Sequence, residues 1–313
     1  MDKPELLMLG PYNDPEMDML AGSFALHRLW EAADKDAMLV RLAPRVRAVG
    51  TKGEVGADAA LMGKLPKLEI VACYGVGVDA IDLGHARARG VRVTNTPDVL
   101  TEDVADMAWA LLLATARRIP AGDAHDRSGA WAEGAMAMTT RVWGKRLGVV
   151  GLGRIGRAVA KRAEGFGMRV AYSGRSRRED APYDWHPDPA SLAAASDMLV
   201  VCAQGGPATK GLVDAEAIAA LGPDGILVNV SRGTVVDEAA LLDALESGGL
   251  AAAGLDVFLN EPRIDPRFLE LENVVLQPHN SSGTRETRMA MAELVRDNLL
   301  AHFAGEPLPT PVA

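Results

Sequence analysis

Cysteine is almost absent from this chain: only two of its 313 residues are cysteines. Cys73 and Cys202 both lie in apolar, strand-like runs, where a thiol is best interpreted as a small buried hydrophobic group. Two isolated cysteines provide neither a disulfide framework nor the ligand spacing of a zinc site. The sequence therefore predicts a fold without a disulfide scaffold and without a metal site.

Long apolar runs are also missing. The longest apolar helical segment, Val104 to Ala116, contains Asp106 and is too short to cross a bilayer. The N-terminus has no basic region followed by a long apolar core, so no signal peptide is predicted. We therefore expect a cytoplasmic protein without a membrane partner.

Basic residues are in the minority. The chain has 33 lysine and arginine residues against 42 aspartate and glutamate residues, a formal net charge of −9. This balance disfavours a nucleic-acid-binding surface, so no nucleic-acid partner is predicted. A hydrophobic fraction of 48% and a charged fraction of 24% are ordinary for a soluble protein. The length suggests about two domains, at roughly 100–200 residues each.

Short apolar runs alternate with helical patterns in the first third of the chain. Such alternation indicates a parallel sheet that helices cover on both faces, and we expect a flavodoxin-like arrangement. Strands are predicted at Glu5–Leu9, Val46–Gly50, Glu69–Ala72 and Val91–Val93, and helices at Asp58–Gly63 and Asp79–Arg89.

A second alternation follows a long apolar helix. That helix has Thr101 as its predicted N-cap and a stop at Pro120, and residues 121–141 after it are expected to be irregular. Six strands then follow, which is the number in a complete dinucleotide-binding sheet. They are predicted at Leu147–Val150, Arg169–Tyr172, Met198–Cys202, Gly225–Asn229, Ala252–Asp256 and Asn273–Leu276.

The last predicted helix, Glu286–Phe303, has no strand partner in the second sheet, so we expect it to pack on the first domain. The second domain is then an insertion. We predict an α/β fold with two doubly wound parallel-sheet domains: one of residues 1–99 and 284–313, and an inserted Rossmann domain of residues 100–283.

A glycine-rich turn, Gly151-Leu152-Gly153-Arg154-Ile155-Gly156, lies between the strand at 147–150 and a helical run. Glycines at this spacing let the backbone approach a pyrophosphate closely, and the helix N-terminus adds free N–H groups and partial positive charge. The motif alone is weak, but its place between strand and helix in a six-strand alternation predicts a dinucleotide site.

The segment after the next strand indicates which dinucleotide binds. NAD sites usually place Asp or Glu there, about 20 residues after the first glycine, to accept hydrogen bonds from the ribose hydroxyls. This chain has Ser173-Gly174-Arg175-Ser176-Arg177-Arg178, with no acid before Glu179. Arginines would pair with a 2′-phosphate, so the sequence predicts NADP(H), with Arg175 as the main contact.

Three polar residues follow the ends of successive predicted strands: Arg232, Glu261 and His279. The carboxyl ends of parallel strands are where α/β sheets place their chemistry. Arginine can bind the carboxylate of a 2-oxo acid, and histidine can donate a proton to its carbonyl oxygen as hydride arrives. A carboxylate can hold the imidazole and favour its protonated form. The set suggests hydride transfer to a keto acid.

These motifs together resemble the D-isomer-specific 2-hydroxyacid dehydrogenases, over nearly the whole chain. The matching elements are Gly75-Val76-Gly77-Val78-Asp79 with Ile81-Asp82, then Gly151–Gly156, Arg232, Glu261-Pro262 and Pro278-His279. The resemblance implies that Arg232, Glu261 and His279 are catalytic and that Val76 and Gly77 bind substrate together with Arg232 and His279. It implies cofactor contacts at Leu152, Gly153, Arg154, Ile155, Gly174, Arg175, Ser176, Val230, Asp256 and Thr101. It also implies that residues 1–99 and 284–313 form a substrate-binding domain, that residues 100–283 form an NADP-binding domain, and that the protein is a homodimer.

Within that family, the arginine-rich segment looks like the NADPH-dependent glyoxylate/hydroxypyruvate reductase branch, whose expected reaction makes a D-2-hydroxy acid with His279 as proton donor. That branch commonly carries an apolar residue and then Gly or Ala after the histidine, whereas this chain has Asn280-Ser281. The preferred substrate side chain is therefore open.

Two alternatives stay open. One is an NAD-linked relative of the D-lactate or 3-phosphoglycerate type, which the missing acid disfavours. The other is a corepressor-like protein that senses a dinucleotide. Trp131 is expected to pack under its own loop, with the partner subunit's cleft as the alternative.

Overall fold

The computed structural model describes residues 3–312, and the chain forms two compact units. Unit 1 contains the chain up to Leu100 together with the chain from Ser282 onward. Unit 2 is Thr101–Ser281. The assignment of unit 1 to the substrate and of unit 2 to NADP stays a prediction.

Twelve strands and twelve α-helices are present in the described residues. The strands are β1 Glu5–Met8, β2 Ala25–Arg28, β3 Ala48–Lys52, β4 Ile70–Tyr74, β5 Arg92–Thr94, β6 Arg146–Val150, β7 Arg169–Ser173, β8 Asp184–His186, β9 Met198–Val201, β10 Ile226–Asn229, β11 Ala252–Leu255 and β12 Val274–Leu276. The helices are α1 Asp14–Ser23, α2 Lys35–Leu42, α3 Ala59–Gly63, α4 Leu83–Ala88, α5 Thr101–Ala116, α6 Ile119–Arg127, α7 Arg154–Glu164, α8 Pro189–Ala194, α9 Ala215–Leu221, α10 Glu238–Ser247, α11 Arg267–Glu270 and α12 Arg285–Ala304.

Unit 1 is a five-stranded parallel sheet in the order β2-β1-β3-β4-β5. This is the 2-1-3-4-5 order of flavodoxin-like folds. The central strands are apolar because both faces of the sheet are covered, and Leu7, Val49 and Val71 are fully buried. Helix α12 packs on β4, where the Tyr74 hydroxyl donates to the Arg288 carbonyl at 3.1 Å. The last helix thus belongs to unit 1.

Unit 2 is a seven-stranded parallel sheet in the order β12-β11-β10-β9-β6-β7-β8. Counted from β6, this is the Rossmann order 3-2-1-4-5-6 with one additional strand at the edge. The strand order reverses between β6 and β9, and ligands bind outside the carboxyl ends of the strands at such a switch point. The two sheets confirm the predicted α/β class with two doubly wound parallel-sheet domains.

Several sequence-based expectations for single elements were wrong. Strands β2 and β8 and helices α1 and α2 were not predicted, because the two strands lie at sheet edges and lack a continuous apolar run. Thr101 is the first residue of α5 and not its cap.

The stretch expected to be irregular, residues 121–141, contains most of α6. Pro120 lies in the first turn of that helix, where its missing N–H has no intrahelical partner to lose. Trp131 is 69% exposed and does not pack under its own loop. No helix of residues 3–312 is long and apolar enough to span a membrane.

Trp109 fastens α5 to α7, the helix that follows the glycine turn. It is 5% exposed, its indole N–H donates to the Val159 carbonyl at 3.0 Å, and its ring stacks on Phe166 with 4.4 Å between centroids. We expect Trp109→Phe to lower the free energy of unfolding by about 1 kcal/mol, because the ring contact survives and the hydrogen bond does not. Thermal unfolding should shift down by about 2–4 °C.

The control for this prediction is Leu269→Ala, at an apolar side chain of the same unit that is 69% exposed. It should leave the midpoint unchanged, since exposed substitutions usually change stability by less than about 0.5 kcal/mol. Equal midpoints for the Trp109 and Leu269 variants would contradict the role of the indole hydrogen bond.

Candidate active site

The glycine turn joins β6 to α7 at the switch point of the unit 2 sheet. Gly151 has φ +94°, a left-handed conformation that favours glycine, and an added Cβ would lie 2.7 Å from the Ala203 Cα. Only glycine lets β6 turn this close to the chain that leaves β9. The close approach of these two backbone segments thus fixes where the glycine turn lies at the carboxyl end of β6.

The start of α7 is open toward a ligand. A Cβ added to Gly153 would meet no atom within 4 Å. Gly153 is the N-cap residue of the helix, and as a glycine it has no side chain that could bond to the first N–H groups. The first turn of the eleven-residue helix contains no acidic residue. The free N–H groups, the helix dipole and the open space above Gly153 fit the pyrophosphate of a dinucleotide. Of the other predicted contacts in this turn, Leu152 is buried, Arg154 is exposed and Ile155 is half-buried.

The arginine segment forms a loop directly after β7, and residues 175–178 are exposed. The Tyr172 hydroxyl accepts from the Arg178 N–H at 2.5 Å, and the Trp185 indole donates to the Gly174 carbonyl at 3.3 Å. Sequence reasoning missed both of these supports, and Trp185 lies in the unpredicted strand β8. Arg175 is exposed in this loop, so its charge can reach an anionic ligand.

His279 and Glu261 form a close pair. The His279 Nδ1 lies 2.6 Å from Glu261 Oε2, and Glu261 Oε1 accepts the Phe258 N–H at 2.8 Å. The carboxylate thereby fixes the orientation of the imidazole ring through Nδ1. The other ring nitrogen, Nε2, has no hydrogen-bond partner among the described residues. An imidazole held in this way can donate or accept a proton through Nε2.

The pair also changes the proton affinity of the imidazole. Burial is the largest single influence and lowers the pKa of His279, but the hydrogen bond and negative charge of Glu261 outweigh it. The net pKa of His279 is therefore raised. For Glu261, burial is again the largest single influence, and it raises the pKa of the carboxyl group. The hydrogen bond and charge of His279 nevertheless bring the pKa of Glu261 below its usual value. The geometry favours an imidazolium beside a carboxylate.

Arg232 lies in the turn after β10, near this pair. Its charge lowers the pKa of both His279 and Glu261. The turn is shaped by Asn229, whose side-chain amide donates to the Arg232 carbonyl at 3.0 Å. The next residue, Gly233, packs so closely that an added Cβ would lie 2.0 Å from the Phe258 carbonyl carbon. The structure therefore brings all three predicted catalytic residues together.

The remaining predicted contacts lie at the starts and ends of elements. Val230 is buried at the end of β10, and Thr101 is half-buried at the start of α5. Asp256, after β11, is 1% exposed, and its carboxylate binds the backbone of residues 280 and 281. Sequence reasoning missed this contact. The polar pair Asn280-Ser281 was the only signal in the sequence that could have indicated it.

Val76 and Gly77 belong to unit 1 and follow β4. The Val76 carbonyl accepts from the Asn95 side chain at 2.8 Å, and the Cys73 thiol lies 3.4 Å from the Gly77 carbonyl oxygen. Two internal contacts thus hold this loop. No group of three or more His, Cys, Asp or Glu side chains in the described residues could hold a metal ion.

A family model described as "D-isomer specific 2-hydroxyacid dehydrogenase, NAD binding domain" matches residues 109–281. The chain is 48% identical over 315 residues to hydroxyphenylpyruvate reductase of Plectranthus scutellarioides, with 100% of both chains covered. It is 46% identical over 312 residues to glyoxylate/hydroxypyruvate reductase A HPR2 of Arabidopsis thaliana, again with 100% of both covered.

Among solved structures, the chain is similar to an NADPH-dependent glyoxylate/hydroxypyruvate reductase of Sinorhizobium meliloti, determined in complex with NADP and malonate. The TM-score is 0.94 at 43% identity, covering 100% of this chain and 97% of the other.

Proposed function

Because the chain belongs to the D-isomer specific 2-hydroxyacid dehydrogenases, we propose that it reduces a small 2-oxo acid, glyoxylate or hydroxypyruvate, to the D-2-hydroxy acid with NADPH. The observation that carries the proposal is the His279–Glu261 pair at 2.6 Å, with the charge of Arg232 beside it, in a sheet that bears the dinucleotide turn. This combination supplies a proton donor, a carboxylate-binding cation and a cofactor site.

Three side chains divide the chemistry. Arg232 binds the carboxylate of the 2-oxo acid through charge-assisted hydrogen bonds. His279 donates its Nε2 proton to the carbonyl oxygen at C2, which becomes the hydroxyl of the product. Glu261 accepts from Nδ1, keeps the ring in place and stabilises its protonated form. NADPH, when bound, supplies the hydride that C2 receives.

The remaining proposed contacts position the two ligands. Val76 and Gly77 in unit 1 contribute backbone groups to the substrate. Leu152, Gly153, Arg154 and Ile155 hold the pyrophosphate, and Val230, Asp256 and Thr101 lie beside the nicotinamide. The open space above Gly153 supports this placement of the pyrophosphate.

Gly174, Arg175 and Ser176 are proposed to hold the 2′-phosphate of NADPH. The proposal of NADPH over NADH rests on the exposed arginine loop, which has no acid between Ser173 and Arg178. The similar Sinorhizobium meliloti structure, which was determined in complex with NADP and malonate, supports the same choice.

We also propose a homodimer in the cytoplasm. Four of the large apolar side chains that are exposed in the described residues lie within residues 119–143 of unit 2, and grouped exposed apolar side chains favour an interaction site. They are Ile119, Trp131, Met138 and Trp143. Burial of this segment against a second copy would remove the apolar surface from water.

A substrate panel tests the proposed function. Initial rates with glyoxylate, hydroxypyruvate, pyruvate and 4-hydroxyphenylpyruvate would be measured with NADPH and with NADH at one pH. We expect kcat/KM with NADPH to be highest for glyoxylate and hydroxypyruvate, by about tenfold or more over the aryl substrate. Chiral analysis of the glycerate made from hydroxypyruvate should show the D-isomer, since glycolate from glyoxylate is achiral.

Two outcomes would contradict the proposal. Absence of reduction with every 2-oxo acid would reject the reaction, and preference for the aryl substrate would reject the substrate class. Dinucleotide binding without turnover would instead favour a sensing protein.

A further inference from the structure

The turn that carries His279 has an unusual backbone. His279 has φ +50°, in the left-handed region that residues other than glycine seldom adopt. Such a conformation persists only where the surrounding structure holds it. The identity of the groups that hold this turn therefore bears directly on where the imidazole lies.

Asp256 supplies the holding contacts. Its backbone carbonyl accepts the His279 N–H at 2.8 Å, and its carboxylate oxygens accept the N–H groups of Asn280 and Ser281 at 2.7 and 3.0 Å. The Ser281 hydroxyl donates to the same carboxylate. Residues 279–281 are thus bound to one aspartate by four hydrogen bonds.

Ser281 makes the only one of these four bonds that a side chain donates. Ser281 is 8% exposed and Asp256 is 1% exposed, so water offers little replacement for the hydroxyl. A buried carboxylate depends on its donors, and a hydroxyl bound to an ionised carboxylate forms one of the stronger kinds of hydrogen bond. Without the hydroxyl, the carboxylate would keep two N–H donors and gain freedom to rotate, and with it the turn.

We propose that Ser281 is a positioning residue, whose hydroxyl fixes the Asp256 carboxylate and thereby holds the turn that keeps His279 on Glu261. The expected effect of Ser281 on kcat rests on the proposed function, whereas its expected effect on the contact between His279 and Glu261 does not. The hydroxyl acts through Asp256 and the backbone.

The test compares Ser281→Ala, Ser281→Thr and Ser282→Ala with the unmodified protein. Ser281→Ala should lower kcat for the preferred 2-oxo acid by about tenfold, because small misplacements of a catalytic group have large effects on rate. The dissociation constant for NADPH should stay within about twofold. Ser281→Thr, which restores a hydroxyl, should recover most of kcat. Ser282→Ala removes a hydroxyl one residue further along and should leave kcat unchanged.

A second measurement does not depend on activity. The Nδ1 proton shared by His279 and Glu261 at 2.6 Å should give a downfield proton resonance in the free protein, assigned by its loss in His279→Gln. We expect Ser281→Ala to shift this resonance upfield or broaden it, and Ser282→Ala to leave it in place.

Three outcomes would overturn the inference: an unchanged resonance and kcat in Ser281→Ala, equal losses of kcat in Ser281→Ala and Ser281→Thr, or a parallel loss of NADPH binding and thermal stability. If the unmodified protein reduced no 2-oxo acid, the proposed function would fail, and the resonance would still decide the role of Ser281.

Discussion

Replacing His279 by alanine is expected to lower kcat for 2-oxo acid reduction by about 10²–10⁴-fold, the range that general acid catalysis usually contributes. The carbonyl oxygen would then have to take its proton from water. NADPH binding should stay within about twofold, because the glycine turn and the arginine loop do not involve the imidazole. Steady-state kinetics and fluorescence titration with NADPH measure the two quantities separately.

The control for this variant is His85→Ala, which removes a histidine of α4 whose Nε2 has no hydrogen-bond partner among the described residues. It should leave both quantities unchanged. A His279→Ala protein that kept more than about a tenth of kcat would contradict the assignment of the proton donor. Equal losses of kcat and of NADPH affinity would point to a structural role.

The same assignment predicts a pH dependence with a definite sign. The imidazolium is the acid, so reduction is fast below the pKa of His279 and slows as pH rises through it. Because Glu261 raises this pKa above its ordinary value of about 6.5, the fall should occur at a higher pH than for an unperturbed histidine.

Glu261→Gln should move the fall in rate to lower pH. The substitution removes the negative charge that raises the pKa of His279, and the burial that lowers it remains. A midpoint that did not move, with chemistry shown to limit the rate, would contradict the coupling of the two residues.

The central strands of both sheets were predictable from sequence because they are buried on both faces. Strands β9 and β10 consist almost entirely of apolar residues, because helices cover both sides of the sheet at these positions. Edge strands β2 and β8 contain histidine and a charged residue and are half-exposed, so their sequences resemble loops. Hydrophobic pattern thus indicated the middle of each sheet and the edge strands β5 and β12, and it failed at the edge strands β2 and β8.

In the candidate site, the proposed catalytic residues were predictable from sequence, whereas the contacts that support them were not. Arg232, Glu261 and His279 were predictable because chemistry in α/β folds lies at the carboxyl ends of strands. The contacts of Asp256 were not, since its partners are 24 and 25 residues away in sequence and only the folded sheet brings them together. Local pattern can identify a catalytic residue, whereas the residues that hold it depend on tertiary structure.

The second large effect concerns the cofactor. Arg175→Asp is expected to raise the dissociation constant of NADPH by about 10²-fold, which corresponds to about 3 kcal/mol. A charge-assisted hydrogen bond to the 2′-phosphate contributes about 1.5–3 kcal/mol, and the new carboxylate would in addition repel the phosphate. NADH has no 2′-phosphate, so its dissociation constant should change by less than about threefold. The variant should therefore lose the preference for NADPH. It should bind the two dinucleotides equally well or bind NADH more tightly.

Arg169→Asp is the matched control, because Arg169 is an exposed arginine at the amino end of the same strand, β7, whose carboxyl end leads into the arginine loop. It makes the same change in net charge, so it separates a local contact from a general loss of electrostatic attraction. Because salt screens exposed charges, the effect of Arg175→Asp on NADPH should shrink as ionic strength rises, and the effect on NADH should not. If Arg175→Asp weakened the binding of NADPH and NADH equally, the arginine loop would not contact the 2′-phosphate. The proposal of NADPH as cofactor would then lose its main support.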